Sequence, residues 1–350
     1  MKSNFIPSLL MFAASLVSTG VAAGQQQTVG NSFLKVSTGP TAATTATALP
    51  YEDAGASVVS GCDSCGTSYA SSCGCGSRFG GGLLSFPSIQ RSEGCYDCFI
   101  SPISNPVYFE DPRLTTEAKA IFLQHRVPQA AGGGAIQLYA FLLRARLSEN
   151  VALIATKDGY AVSSNALIDD GWADVAAGLK FALFRNPQKQ RLTSAGFTFE
   201  LPSGEAKAFQ GNGSGNLNLF YTSGRKIFDS IYWISGGGIR VPFDTVDEST
   251  VMYSSQHFSK NIGPRTWILT EFNMQNWVSS GGGGIPGVEG GDLFNFGSTG
   301  VSGNTIVTQA IGLKFKPQRN QEVGAAFEFP LTDRRDVIDN RINVNWIWRY

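Results

Sequence analysis

The chain ends on residues 340–350, Asn-Arg-Ile-Asn-Val-Asn-Trp-Ile-Trp-Arg-Tyr, and no other stretch narrows its possible folds as much. Ile342, Val344, Trp346, Trp348 and Tyr350 are apolar or aromatic, whereas Arg341, Asn343, Asn345 and Arg349 alternate with them. A period of two is a β-strand with one apolar and one wet face; Ile347, on the wet face, is the exception. A flat apolar strand at the end of an open sheet would template aggregation, and closing the sheet into a barrel removes that edge. If the apolar side meets lipid, the alternation, the strand length of about ten residues and the terminal aromatics all follow.

The same alternation recurs from residue 115 onward, in about twelve segments, with ten or fourteen also compatible. Val175, Ala177, Leu179, Phe181 and Leu183 oppose Asp174, Ala176, Gly178 and Lys180. Ala195, Phe197, Phe199 and Leu201 oppose Ser194, Gly196, Thr198 and Glu200. Ile268, Thr270, Phe272 and Met274 stand against Glu271, Asn273 and Gln275; Val323, Ala325, Phe327, Phe329 and Leu331 stand against Glu322, Gly324, Ala326 and Glu328. Residues 116–126 fit with Glu117 and Lys119 inward, which carries Ile121 and Leu123 to the same side, and residues 135–147 fit with Arg144 and Arg146 inward. Residues 249–259 fit neither face.

A Lys or Arg facing lipid near the midplane costs roughly 2–4 kcal/mol, so the charged faces are expected to look into the lumen. The inverse arrangement, apolar inside and charged outside, would be a soluble lipocalin-like barrel, and alternation alone does not separate the two. The connections do discriminate. Working back from Tyr350, gaps fall at 332–339, 317–320, 279–303, 261–264, 242–248, 224–226, 202–214, 186–189, 159–171, 148–149 and 127–133, longer and shorter in turn. Short turns on one side and long loops on the other are the habit of outer-membrane barrels. An even strand count would put both barrel termini on the periplasmic side.

Upstream, residues 1–23 read as a secretory signal: Lys2, an apolar core over 5–17, and Val21-Ala22-Ala23 before Gly24. Residues 24–98 are a periplasmic arm of Gln, Thr, Ala, Ser and Gly, with too few large apolar side chains to offset the entropy of ordering, so it is read as mostly disordered to about Gly94. All six cysteines, Cys62, Cys65, Cys73, Cys75, Cys95 and Cys98, lie there. Disulfides of undetermined pairing fit an exported chain; a metal is the sharper alternative, but no His accompanies the Cys-x-x-Cys pairs, and no metal site is assigned. Residues 99–114 carry Pro102, Pro106 and Pro112, which exclude a helix or central strand, and read as an ordered lead-in tethering the arm to the barrel at 115–350.

Lys+Arg and Asp+Glu balance at 27 each, which argues against nucleic acid as a partner. No catalytic residues or cofactors are expected. The two histidines, His125 and His257, sit on irregular segments and read as structural. Asp169-Asp170 and Glu289/Asp292 read as solvated loop acids rather than calcium ligands, and Gly281–Gly284 lacks the Lys-Ser/Thr of a phosphate loop.

Residues 340–350 resemble the terminal signal of bacterial outer-membrane barrels, which implies recognition by the barrel-assembly machinery through Ile342, Val344, Trp346, Trp348 and Tyr350. Asp174-Val-Ala-Ala-Gly178-Leu-Lys180 and Ala195-Gly196-Phe-Thr-Phe-Glu-Leu-Pro202-Ser-Gly204 resemble strand patterns of the outer-membrane transporters associated with meta-pathway phenol degradation. That resemblance spans residues 115–350 and implies passage of hydrophobic or aromatic compounds; the cysteine-bearing arm departs from it. The expected pore lining is Asp174, Lys180, Glu200, Arg240, Glu271, Asn273, Lys314, Glu322, Glu328 and Arg341, its charges pairing across a narrow lumen. The first functional expectation is passive uptake of small solutes. The alternatives are a structural or adhesive barrel whose 279–303 loop, with Leu293, Phe294 and Phe296, meets a partner outside, and a soluble secreted β-protein.

Overall fold

The computed structural model describes residues 89–350. The signal sequence, most of the arm and Cys62, Cys65, Cys73 and Cys75 lie outside the described residues. The strands are β1 (Glu117–Arg126), β2 (Ala135–Arg146), β3 (Val151–Lys157), β4 (Tyr160–Ser163), β5 (Gly171–Trp172), β6 (Val175–Asn186), β7 (Arg191–Leu201), β8 (Asn216–Phe228), β9 (Ile231–Pro242), β10 (Thr250–Gly263), β11 (Thr266–Ser279), β12 (Thr305–Phe315), β13 (Gln321–Pro330) and β14 (Asn340–Arg349). All pairings are antiparallel between neighbours. β1 pairs with both β14 and β2, which closes the sheet. β3 and β4 are two halves of one stave and β5 and β6 two halves of the next, so the fourteen segments make a closed barrel of 12 staves. The edge that residues 340–350 would have presented is thereby paired, Trp346 opposite Ala120 and Trp348 opposite Ala118.

Facing follows the alternation. Leu143, Phe181, Phe199, Ile268, Leu313, Phe327 and Trp346 are exposed on the outer wall, as is Ile342. Lys180, Glu271, Glu322 and Arg341, all on alternate positions of the same strands, are 0 % exposed. Residues 249–259 are the informative exception. In β10 the buried positions are Val251, Tyr253, Ser255, His257 and Ser259, whereas Ser254 and Gln256 face out. The period is two, but packing inside the barrel has claimed the larger side chains. Gln256 is satisfied on the outer wall by the Trp233 indole N–H at 2.8 Å.

Connections 147–150, 187–190, 229–230, 264–265 and 316–320 lie at the end that holds Glu117 and Arg349; connections 127–134, 164–170, 202–215, 243–249, 280–304 and 331–339 lie at the other. The long-short asymmetry holds throughout. The turn expected at 224–226 instead falls at 229–230, because Gly224 belongs to β8 and is needed inside it. A Cβ on Gly224 would stand 3.0 Å from Phe99 and 3.1 Å from Pro112, so a glycine here leaves the room that an inner segment occupies.

Candidate functional site

Three prolines prevent residues 99–114 from joining a sheet, and a segment that cannot pair its own backbone must find partners elsewhere if it is buried. The barrel wall supplies them. This segment, with residues 95–98 before it, lies inside the lumen rather than acting only as a tether, while residues 89–94 run along the barrel end, where Gln90 pairs with Arg146 and Ser92 N–H donates to Tyr350 O. Ser101 N–H donates to Glu322 at 3.0 Å, and the N–H groups of Ile103 and Ser104 donate to the two oxygens of Glu271 at 2.9 and 2.7 Å. The Ser104 hydroxyl also donates to Glu271. In the other direction Thr222, Lys180 and Ser194 donate to the carbonyls of Glu110, Asp111 and Pro112 at 2.8, 2.8 and 2.7 Å. Lys316 donates to the carbonyls of Asp97 and Phe99.

Apolar contacts complete the plug. Tyr96, Cys98, Phe99 and Phe109 pack with Leu192, Tyr232 and Ile234, with half-buried Cys95 against them; Ile100 and Ile103 pack with Trp267 and Leu269. Arg113 ties the plug together from within, donating to Asp111 at 2.6 Å and to Phe99 O at 2.9 Å. Burial alone would raise the Glu110 carboxyl, but Arg144 at 2.6 Å and Lys180 at 2.8 Å outweigh it and hold Glu110 down at about 2. Asp111 is likewise held well below the usual carboxylate range, burial being overcome chiefly by Arg113.

From the opposite end, loop 280–304 folds inward. Leu293, Phe294 and Phe296 are buried, so the expectation that they meet a partner outside is corrected: they join the interior cluster with Trp277, Val337 and Ile338. Glu289 organises this cap by accepting from Phe296 N–H at 3.1 Å, Ser298 N–H at 2.8 Å and the Ser249 hydroxyl at 2.5 Å. Asp292 reaches the wall at Arg341, 2.8 Å away. Glu289 and Asp292 are thus buried ligands of the chain itself, not solvated loop acids. Asp170, at a loop end, accepts from Ser163 N–H at 2.6 Å.

All ten residues expected in the lining, Asp174, Lys180, Glu200, Arg240, Glu271, Asn273, Lys314, Glu322, Glu328 and Arg341, are buried. Their charges do not pair across an open lumen. Neighbours along the wall pair, as Lys157 with Glu200 at 2.7 Å and Lys314 with Glu322 at 3.3 Å. Others are taken by the plug or the cap. Arg240 donates to the Tyr108 hydroxyl at 2.6 Å and Asn273 to Ser104 at 2.9 Å, both on the plug, whereas Glu328 stays on the wall and accepts from Thr308 of β12 at 2.7 Å. Asp174 accepts from Gly204 and Gly211 N–H at 2.9 and 2.8 Å, holding the base of loop 202–215.

Both histidines are built into this network. His125 donates from Nε2 to Val337 O at 2.6 Å and accepts at Nδ1 from Arg341, which fixes its tautomer. His257 Nδ1 meets Glu271 at 2.6 Å. Glu271 therefore lies between His257 and Ser104, so Ser104 and His257 are not placed as nucleophile and base.

One sector is built otherwise. β2 pairs with β3 only over Arg144–Arg146 and with β4 over Ile136–Tyr139, leaving Ala140 to Leu143 without partners on that side. Asp158, between β3 and β4, bridges the break by accepting Phe141 N–H at 2.9 Å. Behind the break lies a narrow cleft, partly open to solvent. Its lining is almost wholly apolar, with Ile121 and Leu142 from the wall, Val107 from the plug and Phe294 from the cap. The sequence signals for the plug were indirect: a proline-punctuated run that still carries Tyr108, Phe109, Glu110 and Asp111, and glycines such as Gly224 and Gly236 on lumen-facing positions. Gly236 would meet Phe109 at 3.2 Å if it carried a Cβ.

No protein-family model and no curated protein matches the chain, so the resemblance to the phenol-degradation transporters gains nothing from that comparison. Among solved structures the chain is similar to the KdgM porin (11% identity, 66% of this chain and 99% of that one, TM-score 0.40). It is also similar to the translocator domain of the autotransporter NalP from Neisseria meningitidis (10%, 69% and 90%, 0.43). A third is the outer membrane channel DcaP of Acinetobacter baumannii (11%, 67% and 71%, 0.30). At such identities the likeness concerns the barrel fold alone.

Proposed function

We propose that this protein is an outer-membrane barrel acting as a gated channel for small solutes, closed in the present state by residues 95–114. What carries this reading is a wall that is apolar outside and charged inside, wrapped around a segment held by noncovalent contacts. Water would penalise the continuous outer belt that includes Leu143, Phe199, Leu313 and Phe327, whereas acyl chains would not. The charged lumen has the opposite preference, and its carboxylates grip the plug through backbone N–H groups that water could replace.

On this reading the short-turn end and the arm of residues 24–98 belong to the periplasmic side, while the cap looks outward. Ile342, Val344, Trp346, Trp348 and Tyr350, on the last strand, are the signal read by the barrel-assembly machinery. The ten lumenal residues line the path that opens when the plug shifts, and the solutes are small and hydrophobic or aromatic. No role in bond-making is assigned to the lumenal charges, since their partners are structural.

The depth of the plug also favours a second reading, a structural barrel with a permanently closed lumen. Planar-bilayer recordings separate the two. Wild-type protein should be nearly silent, and the double variant Glu110→Ala/Glu322→Ala, with the plug's grip broken at two points, should conduct in discrete steps. Silence in both would reject the channel and leave the structural barrel.

A further inference from the structure

Most lumenal cations of the described residues have a partner within reach: Lys180 has Glu110, Lys157 has Glu200, Lys314 has Glu322 and Arg341 has Asp292. Lys119 does not. It is 4 % exposed, yet among the described residues it makes no hydrogen bond and no ion pair. The carboxylates whose field reaches it, Glu117 and Glu110, are already in contact with Arg349, Arg144 and Lys180. A buried ammonium with no carboxylate of its own in contact is costly, so a chain that keeps one there invites an anion.

Its position narrows the kind of anion. In the β1–β2 ladder Lys119 is directly opposite Leu142, and Ile121 is the next lumen-facing residue on its own strand; both Leu142 and Ile121 line the apolar cleft. Directly opposite residues approach to about 5 Å, well within the reach of a lysine side chain. On the other flank, Asn345 pairs with Ile121 and so stands diagonal to Lys119. The Asn345 amide is buried with neither its nitrogen nor its oxygen hydrogen-bonded. A charged donor and an amide donor, both unsatisfied, therefore sit at the rim of an apolar cleft.

We infer that this rim and cleft bind a compact apolar carboxylate, with its carboxylate on Lys119 Nζ and Asn345 Nδ2 and its apolar body lying along the cleft against Ile121, Leu142 and Val107. Each half of the site rejects a different wrong ligand. An inorganic or very short anion leaves the apolar wall bare, and a neutral ring leaves Lys119 unpaired. The inference rests on the channel reading for its physiological sense, giving the solute a chemical class, but it concerns binding and is tested without conduction.

The test is calorimetric titration of the full-length barrel in detergent with benzoate, alongside acetate, which lacks the ring, and benzyl alcohol, which lacks the charge. Benzoate should bind saturably and more tightly than either. Lys119→Met should weaken benzoate by about tenfold to a hundredfold, the loss of a hydrogen bond to a charged group, while leaving benzyl alcohol unchanged. Asn345→Ala should weaken benzoate less, and serves as the second variant if Lys119→Met does not fold, folding being judged by heat-modifiable gel migration. Benzoate that fails to bind, that binds as well to the folded variants, or that binds no better than acetate overturns the inference. Binding by a barrel that never conducts would leave this site standing and remove the channel.

Discussion

The two sides of the barrel are built on different terms. From β7 to β14 the staves are unbroken, and their inner charges are matched by one another, by the plug or by the cap, as with Glu271, Glu322 and Arg341. From β1 to β6 two staves are interrupted, Ala140 to Leu143 lack partners on one side, and next to the Arg144 and Lys180 that grip Glu110 the inner surface opens into an apolar cleft with Lys119 beside it. A wall whose charges are already paired has little to offer a charged guest. The broken side, with its apolar cleft and with Lys119 lacking a contact partner, is where a guest would gain most, and it shares with the intact side the task of holding the plug, through Arg144 and Lys180.

The sharpest way to break this comparison is to remove the grip. Glu110→Ala leaves Arg144 and Lys180 buried without their carboxylate, which should cost the docked plug about 3–5 kcal/mol. Amide exchange of residues 96–114 should then accelerate in lipid vesicles, with the amides of β7–β14 unmoved. The same carboxylate predicts a pH response. Because docking lowers its pKa, its contribution is whole above its ordinary value of 4.5 and is lost as pH falls from there toward about 2, so plug exchange should rise across that window and stay flat above it.

Smaller effects test the wall. Leu313→Arg, on the outer face, should destabilise the membrane-inserted barrel by about 2–4 kcal/mol in urea unfolding from vesicles; a soluble barrel would accept it at little cost. Gly224→Val should press on Phe99 and Pro112, loosening the plug by about 1–3 kcal/mol, whereas Gly263→Val, with nothing within 4 Å, should leave plug exchange unchanged. Asp158→Ala removes the acceptor for Phe141 N–H and should weaken the break by about 1–3 kcal/mol, read as faster exchange at Phe141. If that amide exchanges no faster, the break is held by something other than Asp158.

How much of this was legible depended on whether a constraint was local. In β6, β7, β11, β13 and β14 the alternation sufficed, because a charge facing lipid is penalised whatever its neighbours are. The closed barrel and its two unequal ends follow from those strands and their spacing. β10 was illegible because Val251 and Tyr253 turn inward, where Tyr253 stacks on Tyr108 of the plug at 4.6 Å between ring centroids. In sequence the plug reads only as a tether. Its hydrogen-bonding partners, Glu271 and Glu322, lie far along the chain, and no periodicity announces a segment that pairs one donor at a time. The direction of loop 280–304 is hidden for the same reason: Phe294 and Phe296 look alike in sequence whether they cap a lumen or meet a partner. The ten lumenal residues could be picked from their strand faces, but Lys119 gained meaning only when its neighbours proved unable to match it.

Amide hydrogen exchange of wild-type protein in lipid vesicles, read over residues 99–114, addresses the central claim most directly. A lumen closed by this segment predicts slow exchange at Ser101, Ile103 and Ser104, approaching that of the β11 and β13 amides. Exchange there at the rate of a free chain, with the strands protected, would mean that the lumen is not filled by its own chain.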